Sequence, residues 1–280
     1  MIDRVKLKSE HPVFFSFLQK IKVFLKKIIN IYSLFKGYYS LKLFGQNYKL
    51  NIENIDFWKR VYRGEWEPHT YKVMSQYLDK NSIYIDIGAW IGPTVIYAAK
   101  KSKEVICFEP DPISFRRLTS NIYLNNLDNV SSYNVAISDK CSIQKMSSFG
   151  GSLGDTMTSL ISRHNNSSSS FNALVLDWNM IEKIYNFKKV DFIKIDIEGA
   201  EFFLIPKLEK FFMKFQPVVW LSIHVNFLDD EVKLKELQRL MDVMNRCYKI
   251  CLNSKFQPVN INEFPNNVKM RLKHTYLFKN

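Results

Sequence analysis

Two apolar runs in this chain end in an acidic residue and then a glycine. The first is Ile83-Tyr84-Ile85-Asp86-Ile87-Gly88-Ala89-Trp90-Ile91-Gly92, and the second is Val190-Asp191-Phe192-Ile193-Lys194-Ile195-Asp196-Ile197-Glu198-Gly199-Ala200-Glu201. Glycine lets a backbone approach a ligand closely, and a helix that starts there turns its N-terminus toward that ligand. A third run ends at Glu109, 23 residues after Asp86, where a carboxylate can accept both hydroxyls of a ribose. The first turn is not G-x-G-x-x-G, because Ala89-Trp90 stands in place of the middle glycine. It is also not the G-x-x-x-x-G-K-[ST] loop that cradles nucleotide phosphates. Without a ligand, Asp86 reads as a strand-end residue capping its turn, and Glu198 and Glu201 as complements to a positive helix N-terminus.

The first turn has no basic group to meet a phosphate, and Asp86 adds negative charge there. A cationic, unphosphorylated nucleoside suits such a site, and S-adenosylmethionine suits it better than NAD or ATP. If the two acidic runs are neighbouring strands, Asp86 and Asp196 face one crevice at the point where strand order reverses.

The elements that must position these residues read as a strand–helix alternation from residue 83 onward. Strands are expected at Ile83–Ile87, Val105–Glu109, Val130–Ser138, Phe192–Ile197, Val218–His224, Tyr248–Leu252 and His274–Phe278, with helices at 92–101, 112–125, 200–213 and 229–246. Apolar runs alternating with helices predict a mostly parallel sheet covered on both faces. Residues 142–176 interrupt the rhythm with two possible strands, 142–148 and 171–176, around a Ser/Asn/Gly-rich stretch expected to be a mobile loop. Upstream, residues 13–36 predict one amphipathic helix. Its apolar face holds Phe14, Phe17, Ile21, Phe24, Leu25, Ile28, Ile31, Tyr32 and Phe35, and Lys20, Lys22, Lys26 and Lys27 lie opposite. Residues 39–52 predict a hairpin turning at Gly45–Asn47, and residues 56–79 read as helical with an interruption around Gly64 and Pro68.

The 280-residue chain is 46% apolar and 24% charged, ordinary globular composition, and it is too apolar and aromatic for a disordered chain. Its net charge of +13 is uneven. Residues 1–50 hold ten Lys/Arg against two Asp/Glu, and the remainder 30 against 25. That predicts a basic appendage over 1–50 and a separate domain over 51–280, and it argues against a chain-wide nucleic-acid face. A helix with a Phe/Ile face opposite lysines suits a membrane surface, its own domain or a dimer mate. No stretch is long and apolar enough to span a membrane, and no signal peptide is expected. The four cysteines show no metal or disulfide spacing, so reduced thiols and a cytoplasmic location, at most peripheral to a membrane, are expected.

Taken together, IDIGAWIG, CFEPDP, NVAISD and IKIDIEGAE resemble the FkbM family of class I S-adenosylmethionine-dependent methyltransferases. Gly64-Glu65-Trp66-Glu67 resembles the family's leading segment, and the likeness covers roughly residues 50–280. The stretch D-I-E-G-A-E is its family-specific part. The family usually has a small polar residue, commonly Asn, where this chain has Trp90. The resemblance implies a Rossmann-like α/β fold with a mostly parallel seven-stranded sheet, and O-methylation of a sugar or polyketide hydroxyl. Carried onto the matching motifs, it implies a cofactor site of Glu67, Asp86, Gly88, Ala89, Trp90, Gly92, Glu109, Pro110, Asn134, Ala136 and Asp196.

Methyl transfer from a sulfonium is an in-line displacement that depends on positioning, and an alcohol acceptor needs a base. His224 closes the run Val218–Ile223 and is the expected base, with Asp196 and Glu198 as catalytic partners. Alternatively, His224 is a structural strand-end histidine. No metal is required, although Asp196, Glu198 and His224 could hold a divalent ion that acidifies the hydroxyl. Other functions weighed are nucleic-acid methylation, which the D-I-E-G turn disfavours against an [N/D]-P-P-[Y/F/W] turn, and a cofactor-binding adaptor without turnover.

Overall fold

Residues 12–148, 152–155, 158–159, 169–260 and 274–280 are described by the computed structural model. The Ser/Asn-rich stretch expected to be a mobile loop lies mostly outside them. The chain divides into two compact units, Met1–Arg63 and Gly64–Asn280. The charge pattern placed the boundary at residue 50.

In the N-terminal unit, helix α1 (Pro12–Lys36) is followed by a hairpin of β1 (Tyr38–Leu43) and β2 (Gln46–Asn51), then by helix α2 (Ile55–Tyr62). The hairpin turns on Phe44 and Gly45 rather than Gly45–Asn47. Both residues have positive φ, +50° and +82°, as a two-residue turn matched to strand twist requires. Helix α2 packs on the hairpin, so it groups with this unit and not with the helix that comes after Pro68. Of the α1 side chains that are described, Phe14, Phe17, Phe24, Leu34 and Phe35 are exposed. Among the described residues, no helix is long and apolar enough to cross a membrane.

The second unit opens with α3 (Pro68–Tyr77) and then runs β3 (Ile83–Ile87), α4 (Pro93–Ala99), β4 (Glu104–Phe108), α5 (Pro112–Leu124) and β5 (Val130–Tyr133). After an excursion come β10 (Phe192–Ile195), α7 (Glu201–Phe215), β11 (Val218–Ile223), α8 (Lys233–Cys247), β12 (Ile250–Asn253) and β13 (His274–Lys279). These strands form a seven-stranded sheet in the order β12-β13-β11-β10-β3-β4-β5. Every pairing from β11 to β5 is parallel, and β13 runs antiparallel to both its neighbours. Right-handed crossovers explain the two-faced cover: β3-α4-β4 moves one way along the sheet and β10-α7-β11 the other, which puts α4 and α7 on opposite faces. Strands buried on both faces read as unbroken apolar runs, which is why they were legible. The largest core packs Trp178, Phe202, Phe211 and Phe212 against β10 and β11.

The run read as one strand, Val130–Ser138, is two. After β5 the chain leaves the central sheet, and β6 (Ala136–Ser138) enters a four-stranded sheet with β7 (Ser142–Ser148), β8 (Thr158–Ser159) and β9 (Ser170–Asp177), in the order β6-β9-β7-β8. The break falls at Asn134, whose side-chain amide donates to the carbonyls of Glu109 and Pro110 at 2.8 and 3.0 Å. A further helix, α6 (Trp178–Tyr185), was not expected from the sequence. Asp177 caps it by accepting from the Met180 N–H at 2.8 Å, and Trp178 and Ile181 anchor it in the core. The four cysteines are free thiols, three of them buried.

Candidate functional site

Strands β3 and β10 lie side by side at the centre of the sheet, where the connections diverge to either side. In parallel α/β sheets this is where ligands bind. The two glycine turns meet there. A Cβ built on Gly88 would lie 2.0 Å from the backbone oxygen of Asp196, and Gly88 has φ +88°. No other residue fits, so Gly88→Ala should destabilise the protein by about 1–3 kcal/mol by strain alone. Urea unfolding measures this, and an unchanged midpoint would show that the two turns do not need this approach.

The end of β4 carries the first carboxylate of the site. Glu109 Oε2 accepts from the Trp90 N–H and Oε1 from the Asp111 N–H, each at 2.8 Å. Burial drives its carboxyl up, those two N–H groups pull it down, and the charges of Asp111 and Asp86 add to the rise. It ends at about 8. Trp90 sits in the left-handed region at φ +49°. Its ring Nε1 donates to the Gly154 carbonyl at 3.1 Å. The Gly154 N–H donates in turn to Asp111 Oδ2 at 2.8 Å, while Asp111 Oδ1 caps α5. The indole therefore fastens a segment of the small sheet's connection beside the first turn.

Asp86 was expected to face the crevice, but it is 0% exposed and its carboxylate is used internally. Oδ2 accepts from the Tyr84 and Thr94 hydroxyls at 2.8 and 2.5 Å, and Oδ1 faces Lys194 Nζ at 3.4 Å. Lys194 is buried opposite Asp86 in the strand register and also reaches the Gly88 carbonyl at 3.4 Å and Asp196 Oδ2 at 3.7 Å. The sequence expectation overlooked this lysine, although a lone cation inside the apolar run Phe192–Ile195 signals a buried partner.

The remaining carboxylates gather round His224, at the end of β11. Glu201, in the first turn of α7, is fully buried. Its Oε2 accepts from the Gly199 N–H at 2.8 Å, and its Oε1 accepts from the His224 N–H at 2.5 Å and lies 3.2 Å from Nδ1. It thus does more than complement a helix terminus: it ties the second glycine turn to His224. On the other side of the ring, Nε2 lies 3.3 Å from Asp196 Oδ1 and 3.5 Å from Glu198 Oε2. Burial drives the imidazole's pKa down, but Glu201 and then Asp196 and Glu198 outweigh it, leaving the pKa above the ordinary value. Glu198 is held with φ +47°, and its carbonyl accepts from Ser159 Oγ at 2.5 Å.

A cavity of about 260 Å³ opens over both turns. Of the residues expected in the site, Glu67, Gly88, Ala89, Trp90, Glu109, Pro110, Ala136, Asp196 and Glu198 line it. Asp86, Gly92, Asn134 and His224 stand behind the lining. Gly92 starts α4 against Leu118, Asn134 pins the turn after β4, and His224 reaches the cavity only through Asp196 and Glu198. The imidazole expected at the cavity wall thus stands behind two carboxylates, Asp196 and Glu198, which line it. Trp66, Met146, Asp155 and Lys194 also line the cavity and were not anticipated. Met146 and Asp155 belong to the small-sheet region, whose return to the site no local pattern announces. Among the described residues, the acidic side chains of the lining are Glu67, Glu109, Asp155, Asp196 and Glu198, against one lysine.

A family model, the Methyltransferase FkbM domain, matches residues 86–251, more than half of the chain. No curated protein matched. Among solved structures, the chain is similar to methyltransferase FkbM from Methylobacillus flagellatus KT at 15% identity and a TM-score of 0.44 over 71% of this chain. It spans only 44% of that protein's length. It is also similar to SMU.1697c of Streptococcus mutans, solved in complex with SAH, at 12% identity and a TM-score of 0.44 over 76% of this chain and 96% of that one. An rRNA methylase from Streptococcus thermophilus is similar at 13% identity and a TM-score of 0.42, over 76% and 93% of the two chains.

Proposed function

This chain belongs to the FkbM methyltransferase family, and from that premise we propose that it transfers a methyl group from S-adenosylmethionine to a hydroxyl of a sugar or glycan. The observation behind this reading is the charge of the cavity: among the described residues, the acidic side chains of Glu67, Asp155, Asp196 and Glu198, with the Glu109 carboxyl, line it against one lysine, in a protein of net charge +13. Such a lining repels phosphodiesters and pyrophosphates, attracts a cation, and offers many acceptors to a polyhydroxyl compound.

The residues present fit the donor. Glu109 has both oxygens fixed by backbone N–H groups, so their remaining lone pairs can take the ribose hydroxyls. Phe108, Val135, Ile137 and Met146 supply apolar wall that excludes water from a base. Gly88 lets the two turns close on one another at the cavity floor, an approach that any side chain would block. When bound, S-adenosylmethionine supplies an electrophilic methyl carbon on a positively charged sulfur. The Asp196 and Glu198 carboxylates on the cavity wall are placed to take the proton of an acceptor hydroxyl as the methyl group would pass to it and the sulfur would leave as a neutral thioether. Lys194 and His224 hold the Asp196 carboxylate from two sides, at 3.7 and 3.3 Å, so it meets the acceptor already oriented. The test is incubation with methyl-labelled S-adenosylmethionine and a panel of sugars, glycans and RNA. Label in a base-stable sugar ether supports the reading, and label in RNA alone, or in nothing, sinks it.

Glu109 gives this reading a pH signature. In the free protein its carboxyl, at about 8, is protonated at neutral pH, whereas ribose hydroxyls donate to the ionised form. Binding therefore releases a proton. Affinity should rise up to about tenfold per pH unit between pH 6 and 8 and level off above that. The free fold shows the opposite trend. Because the folded pKa is raised from 4.5, the contribution to stability is full below 4.5 and is lost as pH rises through about 8. Glu109→Gln should abolish the slope and weaken binding roughly 10- to 100-fold, the worth of a charged hydrogen bond. Calorimetry in buffers of different ionisation enthalpy reads both effects, and a flat profile in the parent protein would remove Glu109 from the donor site.

A further inference from the structure

We propose that Asp196, Glu198 and His224 form a binding site for one divalent cation, Mn²⁺ or Mg²⁺, in the wall of the cavity. The ion's role in methyl transfer rests on the function proposed above, but its binding does not.

One imidazole nitrogen and two carboxylate oxygens lie within 4.8 Å of one another. With metal–ligand distances of about 2.1 Å, neighbouring corners of an octahedron are about 3 Å apart. The 3.3 and 3.5 Å from Nε2 to the two oxygens are close to that edge. The nitrogen itself points to a missing partner. His224 is 2% exposed, and Nε2 makes no hydrogen bond although it faces two carboxylates. A buried polar atom left in this way costs free energy, which a cation between the three groups removes.

The surroundings hold the set in place. Glu201 binds the Nδ1 side of the ring at 3.2 Å, so the ring is oriented with Nε2 toward the cluster. A carboxylate behind a histidine is the arrangement that fixes metal-bound imidazoles. The same Glu201 holds the Gly199 N–H, and Ser159 holds the Glu198 carbonyl, so the turn that aims the Glu198 carboxylate is fixed at two points. Its left-handed backbone is a strained conformation of the kind retained where a side chain must point one way. Two carboxylates and one imidazole suit Mn²⁺ or Mg²⁺, and no thiolate is present to select a softer ion. Asp196 and Glu198 both line the cavity, so the open positions of the ion face it. An acceptor hydroxyl bound there is acidified and gives its proton to the carboxylate oxygen that does not hold the ion.

The experiment uses full-length protein stripped with a chelator, with no donor or acceptor present. Mn²⁺ is added and the free ion is followed by its paramagnetic resonance signal. We expect one Mn²⁺ bound per chain, displaced by excess Mg²⁺, with His224→Ala and Glu198→Gln each weakening binding by at least about tenfold. Glu198, at the cavity wall, keeps the test valid if His224→Ala fails to fold. No bound Mn²⁺ at millimolar concentration, or binding that neither substitution alters, overturns the site, and Nε2 then carries a proton only. Methyl transfer that survives chelation, together with absent binding, removes the ion and leaves the reaction. A bound ion in a protein that methylates nothing on the panel leaves the site and removes the proposed reaction.

Discussion

Asp196→Asn should lower methyl-transfer turnover by about 10²- to 10⁴-fold, the contribution of a positioned proton-accepting group. Asparagine matches aspartate in shape, so the side chain can stay between Lys194 and His224, which approach it at 3.7 and 3.3 Å. What it loses is the charge and the ability to take a proton. The donor should bind within a few-fold of the parent, because the ribose contacts proposed for it belong to Glu109 on a different strand. Single-turnover rates with labelled donor, alongside the affinity measured by calorimetry, separate the two steps. A variant that turns over at the parental rate would mean that the acceptor's proton leaves by another route. A variant that fails chiefly in donor affinity would place Asp196 with the cofactor, as the sequence motifs alone suggested.

Asp86→Ala should cost the fold about 1–3 kcal/mol, because a buried ammonium loses its nearer carboxylate and two buried hydroxyls lose their acceptor. Lys194, 5% exposed, would lose its nearer carboxylate and keep Asp196 at 3.7 Å, and the Tyr84 and Thr94 hydroxyls would lose their acceptor. Replacing Lys194 by methionine in the Asp86→Ala background should recover much of the loss, since no buried ammonium then has to do with fewer partners. Urea denaturation of the single and double variants reads the coupling directly. A loss below about 1 kcal/mol for Asp86→Ala would show that Lys194 finds water or another carboxylate, and that Asp86 is not the anchor of the β3–β10 pair.

Much of this was legible because the relevant physics is local. Parallel strands buried on both faces must be apolar runs, and Ile83–Ile87, Phe192–Ile195 and Val218–Ile223 are such runs. Glycines that permit a backbone approach mark the turns, and the carboxyl 23 residues after Asp86, Glu109, lines the cavity where the run's end placed it. What was not legible depends on distant partners. Nothing next to Asn134 shows that its amide will turn to the carbonyls of Glu109 and Pro110 and take the chain out of the central sheet. Asp86 and Lys194 are 108 residues apart, and only the β3–β10 register makes them a pair. His224 was correctly found at a strand end. Its depth was not, because Asp196 and Glu198 come from another strand's turn to cover it. Glu201 looked like an ordinary helix-start acid until its two oxygens found Gly199 and His224.

The small sheet is fastened to the site at two separate points: Ser159 on the Glu198 carbonyl at 2.5 Å, and Gly154 between the Trp90 indole at 3.1 Å and Asp111 at 2.8 Å. Opening that sheet would release both acidic turns together, so the cavity wall and the small sheet would form one cooperative unit rather than a rigid pocket with an independent ornament. Amide hydrogens of β7 and β9 would then exchange with solvent at rates set by whether the cavity is filled, and a ligand that meets these strands only at Met146 would protect both. Trp90 adds to this coupling, for with a small polar side chain there the indole latch on Gly154 is gone. Two relatives with the same chemistry could then differ widely in how long they hold what they bind.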